Sequence, residues 1–182
     1  MNYLRGFIPW IAFAVLSSLG WQWGALAGLL LAVGLFAQGR RKGTPLDSQV
    51  LEISTMAYFV ALTAFSFTVP QSPVRDFVGA ISMAWLALTA WGGLAVKRPF
   101  TLGIAKQQTP KEYWHMPVFL RINVVLTMAW AIAFTVTGAV LAILDVANAG
   151  TVVTILVQVA GFVIPAIFTA KYPERVRARQ TA

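Results

Sequence analysis

Residues 118–144 read VFLRINVVLTMAWAIAFTVTGAVLAIL, with Arg121 near the start as the only charge. A bilayer's hydrocarbon core is about 30 Å thick and needs about 20 apolar residues at 1.5 Å each, so this stretch is long enough to cross with tilt. Working outward from it, further apolar stretches run over Phe7–Leu19, Gln22–Gln38, Val50–Val69, Phe77–Val96 and Thr151–Ala170.

The segments between these stretches alternate in charge. Arg5 precedes the first stretch, and Gly20–Trp21 after it is uncharged. Arg40, Arg41 and Lys42 follow the second, and Arg75 beside Asp76 follows the third. Lys97, Arg98, Lys106 and Lys111 follow the fourth, with Arg121 just inside the next helix. Only Asp145 follows the fifth, and the tail carries Lys171, Arg175, Arg177 and Arg179. With both termini cytoplasmic, every one of the 14 Lys and Arg except Arg75 lies inside. Lys and Arg resist translocation, so the bias sets orientation. It also checks the helix count, because a missed or extra helix would invert half the loops.

Composition places the chain in the same class. It is 58% hydrophobic and 11% charged, where a soluble domain has about 25% charged residues. Its mean hydropathy is +0.72. The expected architecture is an all-α polytopic membrane bundle of six transmembrane helices, the first one short. At 182 residues it is expected to be a single domain, 1–182. The net charge of +8 does not indicate nucleic acid, because it sits in short juxtamembrane loops. It does imply attraction to the bilayer's anionic headgroups, about 1 kcal/mol per residue near the surface. There is no cysteine and a single histidine, His115. Thiolate chemistry, iron–sulfur clusters, Cys-type zinc, bis-His haem and multi-His metal sites are excluded, and no cofactor or metal is expected.

Phe7–Leu19 is short for a full span, and Pro9 stands near its start. It reads as a tilted helix, a half-helix paired with the second stretch, or a cleaved signal peptide; a retained short helix is expected. Gly20, Gly24, Gly28 and Ala32 recur every four residues. Small residues in a stripe let helices approach closely, either within the chain or in a homo-oligomer. Trp21 and Trp23 fit an outer aromatic belt.

The prolines at 70 and 73 stop helices between the third and fourth stretches. The connection Lys97–Pro117 reads KRPFTLGIAKQQTPKEYWHMP. Its apolar and aromatic residues suggest a segment lying on the cytoplasmic interface, with Tyr113 and Trp114 at headgroup depth and the lysines in water. Trp114–His115 suggests either a proton relay or an interfacial surface pair. In the fifth stretch Asn123, Thr127, Ala131, Thr135 and Ala139 recur every four residues and are expected to face protein. The sixth carries Gln158, Gly161 and Pro165, where a kink is expected.

Ionisable residues inside a membrane are functional candidates by default. Here only Glu52 and Arg121 qualify, both near the cytoplasmic ends of their helices. They read as a gate or headgroup-binding pair, or as two snorkelling interface residues. No Gly-x-Ser-x-Gly, His-Glu-x-x-His, buried aspartate dyad or phosphate-cradling glycine loop is present, so the expected protein is not an enzyme. Asn123 stands one to two turns inside the membrane, where an unpaired amide is costly, so it is expected to bond a neighbouring helix or water.

Lys97-Arg98-Pro99, an interfacial loop, and Phe119-Leu120-Arg121-Ile122-Asn123 leading through Trp130 to Phe134 resemble the bacterial intracellular septation protein A family. Phe7-Ile8-Pro9 and Lys171-Tyr172-Pro173-Glu174 are similar to that family's ends. The resemblance implies a multi-pass inner-membrane protein of cell division or envelope maintenance, and it supplies no catalytic residues. The expected function is therefore a scaffold that meets other membrane proteins through helix faces and basic loops. The alternative is a small transporter or channel, with a polar cavity lined by the third, fifth and sixth helices through Glu52, Asn123, Thr127, Thr135 and Gln158.

Overall fold

The computed structural model describes residues 3–178, so Arg179 of the basic tail lies outside the described residues. Those residues form helices, with no strand among them. The α-helices are α1 (Ile8–Leu16), α2 (Trp21–Arg41), α3 (Val50–Thr68), α4 (Val78–Ala95), α5 (Phe100–Lys106), α6 (Pro117–Val146) and α7 (Thr151–Ala178). Five of them, α2, α3, α4 with its preceding turn, α6 and α7, are long and apolar enough to cross a bilayer. The run Arg5–Leu19 is a shorter apolar helix. The protein is thus an all-α, multi-pass membrane protein. Its chain divides into two compact units, Met1–Arg75 and Asp76–Ala182.

In the first unit α1 packs on α2, and α2 on α3. Phe7, Trp10 and Phe13 are buried. Trp10 stacks on Tyr58 at 4.8 Å and donates its indole N–H to Thr55 Oγ1 on α3 at 3.1 Å. Of the three sequence readings of the first stretch, the pairing of a short helix with the second stretch describes this geometry.

The small residues of α2 explain the close packing. A Cβ on Gly24 would lie 3.0 Å from the Phe13 carbonyl oxygen, and one on Gly28 would lie 2.5 Å from the Phe59 ring. Gly24, Gly28 and Ala32 are all buried. Gly20 departs from this stripe. It lies between helices with φ at +133°, a conformation that glycine alone enters freely. It turns the chain between α1 and α2 and is not a helix-packing position. Trp21 also departs from expectation. It is buried, packs on Phe65 and donates to the Pro70 carbonyl at 2.9 Å. Trp23, the other proposed belt residue, is exposed and meets Phe67 edge-on.

In the second unit α6 is central, flanked by α4, α5 and α7. Its buried face carries Asn123, Leu126, Thr127, Trp130, Phe134, Gly138 and Leu141. α7 runs through Pro165 and continues past Pro173, a turn or more beyond the end expected at Ala170.

Three helices end in the same way. The N–H three residues past the helix bonds the carbonyl five residues earlier: Thr44 to Gly39 at 3.0 Å, Arg98 to Gly93 at 2.7 Å, and Ala149 to Leu144 at 2.9 Å. The residue just before takes positive φ, and it is Gly43, Lys97 and Asn148 respectively. This is the Schellman termination, which normally favours glycine at that position.

Candidate functional site

The expected surface segment after α4 is instead a docked helix. Pro99 cannot donate a backbone hydrogen bond, so it makes a ready break before a new helix. α5 then places Phe100 and Ile104, four residues apart, on one buried face. Side chains four apart share a helix face. Phe100, Thr101, Gly103, Ile104 and Ala105 are all buried, so this part of the connection packs on α6 instead of turning its apolar side chains outward.

Thr101 forms the polar part of the contact. Its hydroxyl donates to the Asn123 carbonyl at 2.8 Å and lies 2.7 Å from Thr127 Oγ1. The Thr101 N–H also points at Thr127 Oγ1, at 3.4 Å. Asn123 does not reach the neighbouring helix through its amide. Nδ2 donates to the Phe119 carbonyl of its own helix at 2.9 Å. Oδ1 is buried with no hydrogen-bond partner among the described residues. The link to α5 runs through the Asn123 main chain.

Other polar groups pair across helices in a recurring way. Trp130 donates to Thr169 Oγ1 at 2.9 Å, joining α6 to α7, and Trp91 donates to Thr135 Oγ1 at 3.1 Å, joining α4 to α6. With Trp10 and Thr55, three indole–hydroxyl pairs hold helices together. Sequence reading found Thr127 and Thr135 but missed Thr101, Thr55 and Thr169. A tryptophan N–H inside a membrane needs an acceptor, and that was the available signal.

The other candidates fall in both units. Glu52 belongs to the first unit, where Arg5 is a positive charge acting on it, and its Oε2 is buried without a hydrogen-bond partner among the described residues. Gln49, one turn before it, is buried; its Nε2 donates to the Phe36 carbonyl at 3.3 Å, and its Oε1 has no partner among the described residues. Arg121 belongs to the second unit and is exposed. Gln158 is half-buried, with Oε1 3.8 Å from where a Cβ on Gly79 would lie. His115 is exposed. Trp114 donates to the Thr109 carbonyl at 2.9 Å, and Lys106 Nζ lies 5.2 Å from its ring centre. Among the described residues, no three of His, Asp and Glu gather as a metal site would require.

The second unit carries a groove of about 660 Å³ between α4 and α6. It runs from Phe77 at one end to Trp91 and Thr135 at the other. Ala80, Ala84, Gly138, Ala139 and Ala142 form much of its wall. The hydroxyl and indole at its end bond each other, leaving the walls hydrocarbon.

No family model matches the sequence, and no curated protein or solved structure is significantly similar to it.

Proposed function

We propose that this chain is a non-enzymatic, multi-pass protein of the bacterial inner membrane, with both termini in the cytoplasm. It acts in envelope maintenance or septation by meeting other membrane proteins through helix faces and basic loops. The observation that carries this reading is the use made of the polar groups between helices. Thr101, Thr127, Thr135 and Thr169 are bonded across helix pairs. In lipid such bonds join helices where apolar burial supplies little drive. Thr127 and Thr135, two of the residues that motivated a transporter, therefore serve packing in the second unit, and its groove is apolar. The basic loops and the family resemblance support the placement in the inner membrane.

Two experiments test it. A fusion scan should find alkaline phosphatase inactive at the C-terminus and active after Asp145; the reverse pattern refutes the orientation. A deletion strain should show a division or envelope defect under osmotic stress, and crosslinking should capture membrane proteins. Normal division together with an empty crosslink profile would refute the scaffold reading.

A further inference from the structure

We propose that the α4–α6 groove holds one hydrocarbon chain of an anionic phospholipid, with its headgroup at Lys97 and Arg98. The groove's dimensions argue for a chain. From Phe77 to Trp91 is about 21 Å along a helix at 1.5 Å per residue. A volume of about 660 Å³ over that length leaves a mean section of roughly 31 Å². A helix is about 10–12 Å across with its side chains, so its section is several times larger and it cannot enter. A single extended chain can.

The lining argues for hydrocarbon. A polar solute would leave its own groups unpaired against walls of alanine, glycine, leucine and phenylalanine. The only polar pair at the mouth, Trp91 and Thr135, is already bonded.

Charge argues for the headgroup. Arg98 lies past the end of α4 and folds back on it, its carbonyl oxygen 2.9 Å from where a Cβ on Gly93 would be, two residues beyond Trp91. Lys97 and Arg98 are both exposed. Their backbone is fixed by the Schellman bond from Arg98 N to Gly93 O at 2.7 Å, at the end of α4 that carries Trp91. Basic residues beside a span on the cytoplasmic side attract anionic headgroups.

The test is native mass spectrometry of the full chain, released from micelles holding equal phosphatidylglycerol and phosphatidylcholine with matched chains. The wild type should retain one lipid, with phosphatidylglycerol favoured about ten- to thirtyfold, as two basic residues near the surface imply. Ala84 and Ala139 line the groove and are exposed, so Ala84→Phe and Ala139→Phe fill it without disturbing the core. Both should lose the retained lipid while keeping the wild-type melting temperature. The double variant Lys97→Asn with Arg98→Gln keeps a residue tolerant of positive φ at 97. It should retain a lipid but lose the headgroup preference. Val163→Phe on α7, outside the groove, should change nothing. If both groove-filling variants retain phosphatidylglycerol like the wild type, the lipid is annular only and the proposal fails. It fails equally if those variants abolish a dimer and leave lipid retention unchanged, since the occupant is then a second copy.

Discussion

Removing the Phe100 side chain should release α5 from α6, and removing the Thr101 hydroxyl should barely loosen it. Phe100 is 3% exposed. Truncating a buried phenylalanine to alanine costs about 3–5 kcal/mol, counting both the lost transfer energy and the cavity. Thr101→Val keeps the shape and removes one donor. The hydrogen bonds it makes are worth about 0.6 kcal/mol on average in membrane proteins, and about 1.7 at most. Asn123 O remains a carbonyl within a helix, and Thr127 Oγ1 still faces the backbone N–H of residue 101, so the loss stays near the lower figure. At α5, which is too short to cross lipid and lies in the connection after α4, the burial of Phe100 therefore outweighs the hydroxyl severalfold as the anchor.

At about 1.4 kcal/mol per tenfold, Phe100→Ala should raise the undocked population by roughly a hundredfold or more. Thr101→Val should raise it only a few-fold. Lys106 closes α5 and is half-buried, whereas Lys111 lies outside the helix and is exposed. Limited trypsin digestion in mild detergent reads both sites at once. When opening and closing are fast, cleavage after Lys106 tracks the open population. Phe100→Ala should accelerate cleavage after Lys106 and leave Lys111 unchanged, and amide exchange across 100–106 should rise in parallel. Wild-type cleavage and exchange in Phe100→Ala would mean that α5 floats on the interface as the sequence suggests, and the docking account would be wrong.

Other substitutions follow from the same packing. Lys97 has φ at +57°, and a left-handed conformation costs an ordinary residue about 1–2 kcal/mol, so Lys97→Gly should raise the melting temperature in detergent and Lys97→Val should lower it. A Cβ on Gly28 meets the buried Phe59 ring, while Gly34 has nothing within 4 Å; Gly28→Ala should destabilise by about 1–3 kcal/mol and Gly34→Ala should be neutral or stabilising, a contrast that thermal scans of the two variants will show. Asn123→Leu removes a buried acceptor that has no partner, and relieving such a group offsets the lost Nδ2 bond; its melting temperature should match or slightly exceed the wild type, and a clear fall would show that Oδ1 is bonded.

The long helices were legible because a span must be apolar over its whole length, whatever packs beside it. Val50–Val69 and Phe77–Val96 lie within a residue of α3 and α4 for that reason. α5 was not legible, because seven residues hold only two turns. Phe100, Leu102 and Ile104 can be read as alternating, or Phe100 and Ile104 as one helix face. What decides is the surface of α6, which lies elsewhere in the chain. Gly20 was misplaced because a spacing of four continues across a helix break without any polar residue to mark it. The stripe on α6 misled in a different way. Each step of four overshoots the 3.6-residue turn by about 40°, so four steps carry a residue roughly 160° around the helix. Asn123 and Thr127 face protein, whereas Thr135 and Ala139 come round to the groove.

That drift separates two roles the sequence presents as one. A polar stripe kept on a single face would suggest a pathway. A stripe that winds around its helix meets a different neighbour at each turn, α5 at Asn123 and Thr127, then α4 at Thr135. Polarity in a membrane helix identifies residues that need partners, and it does not identify the partners. The indole donors lie 45, 44 and 39 residues from the hydroxyls they bond. No local periodicity encodes such a pairing. It becomes visible only when two spans are side by side, and there the hydroxyls fasten helix to helix instead of lining a path. Other buried polar atoms have no hydrogen-bond partner among the described residues. Gln49 Oε1 and Glu52 Oε2 lie in one unit and Asn123 Oδ1 in the other. The more coherent unfilled feature within a unit is the apolar groove, and its chemistry suits a lipid chain better than a polar solute.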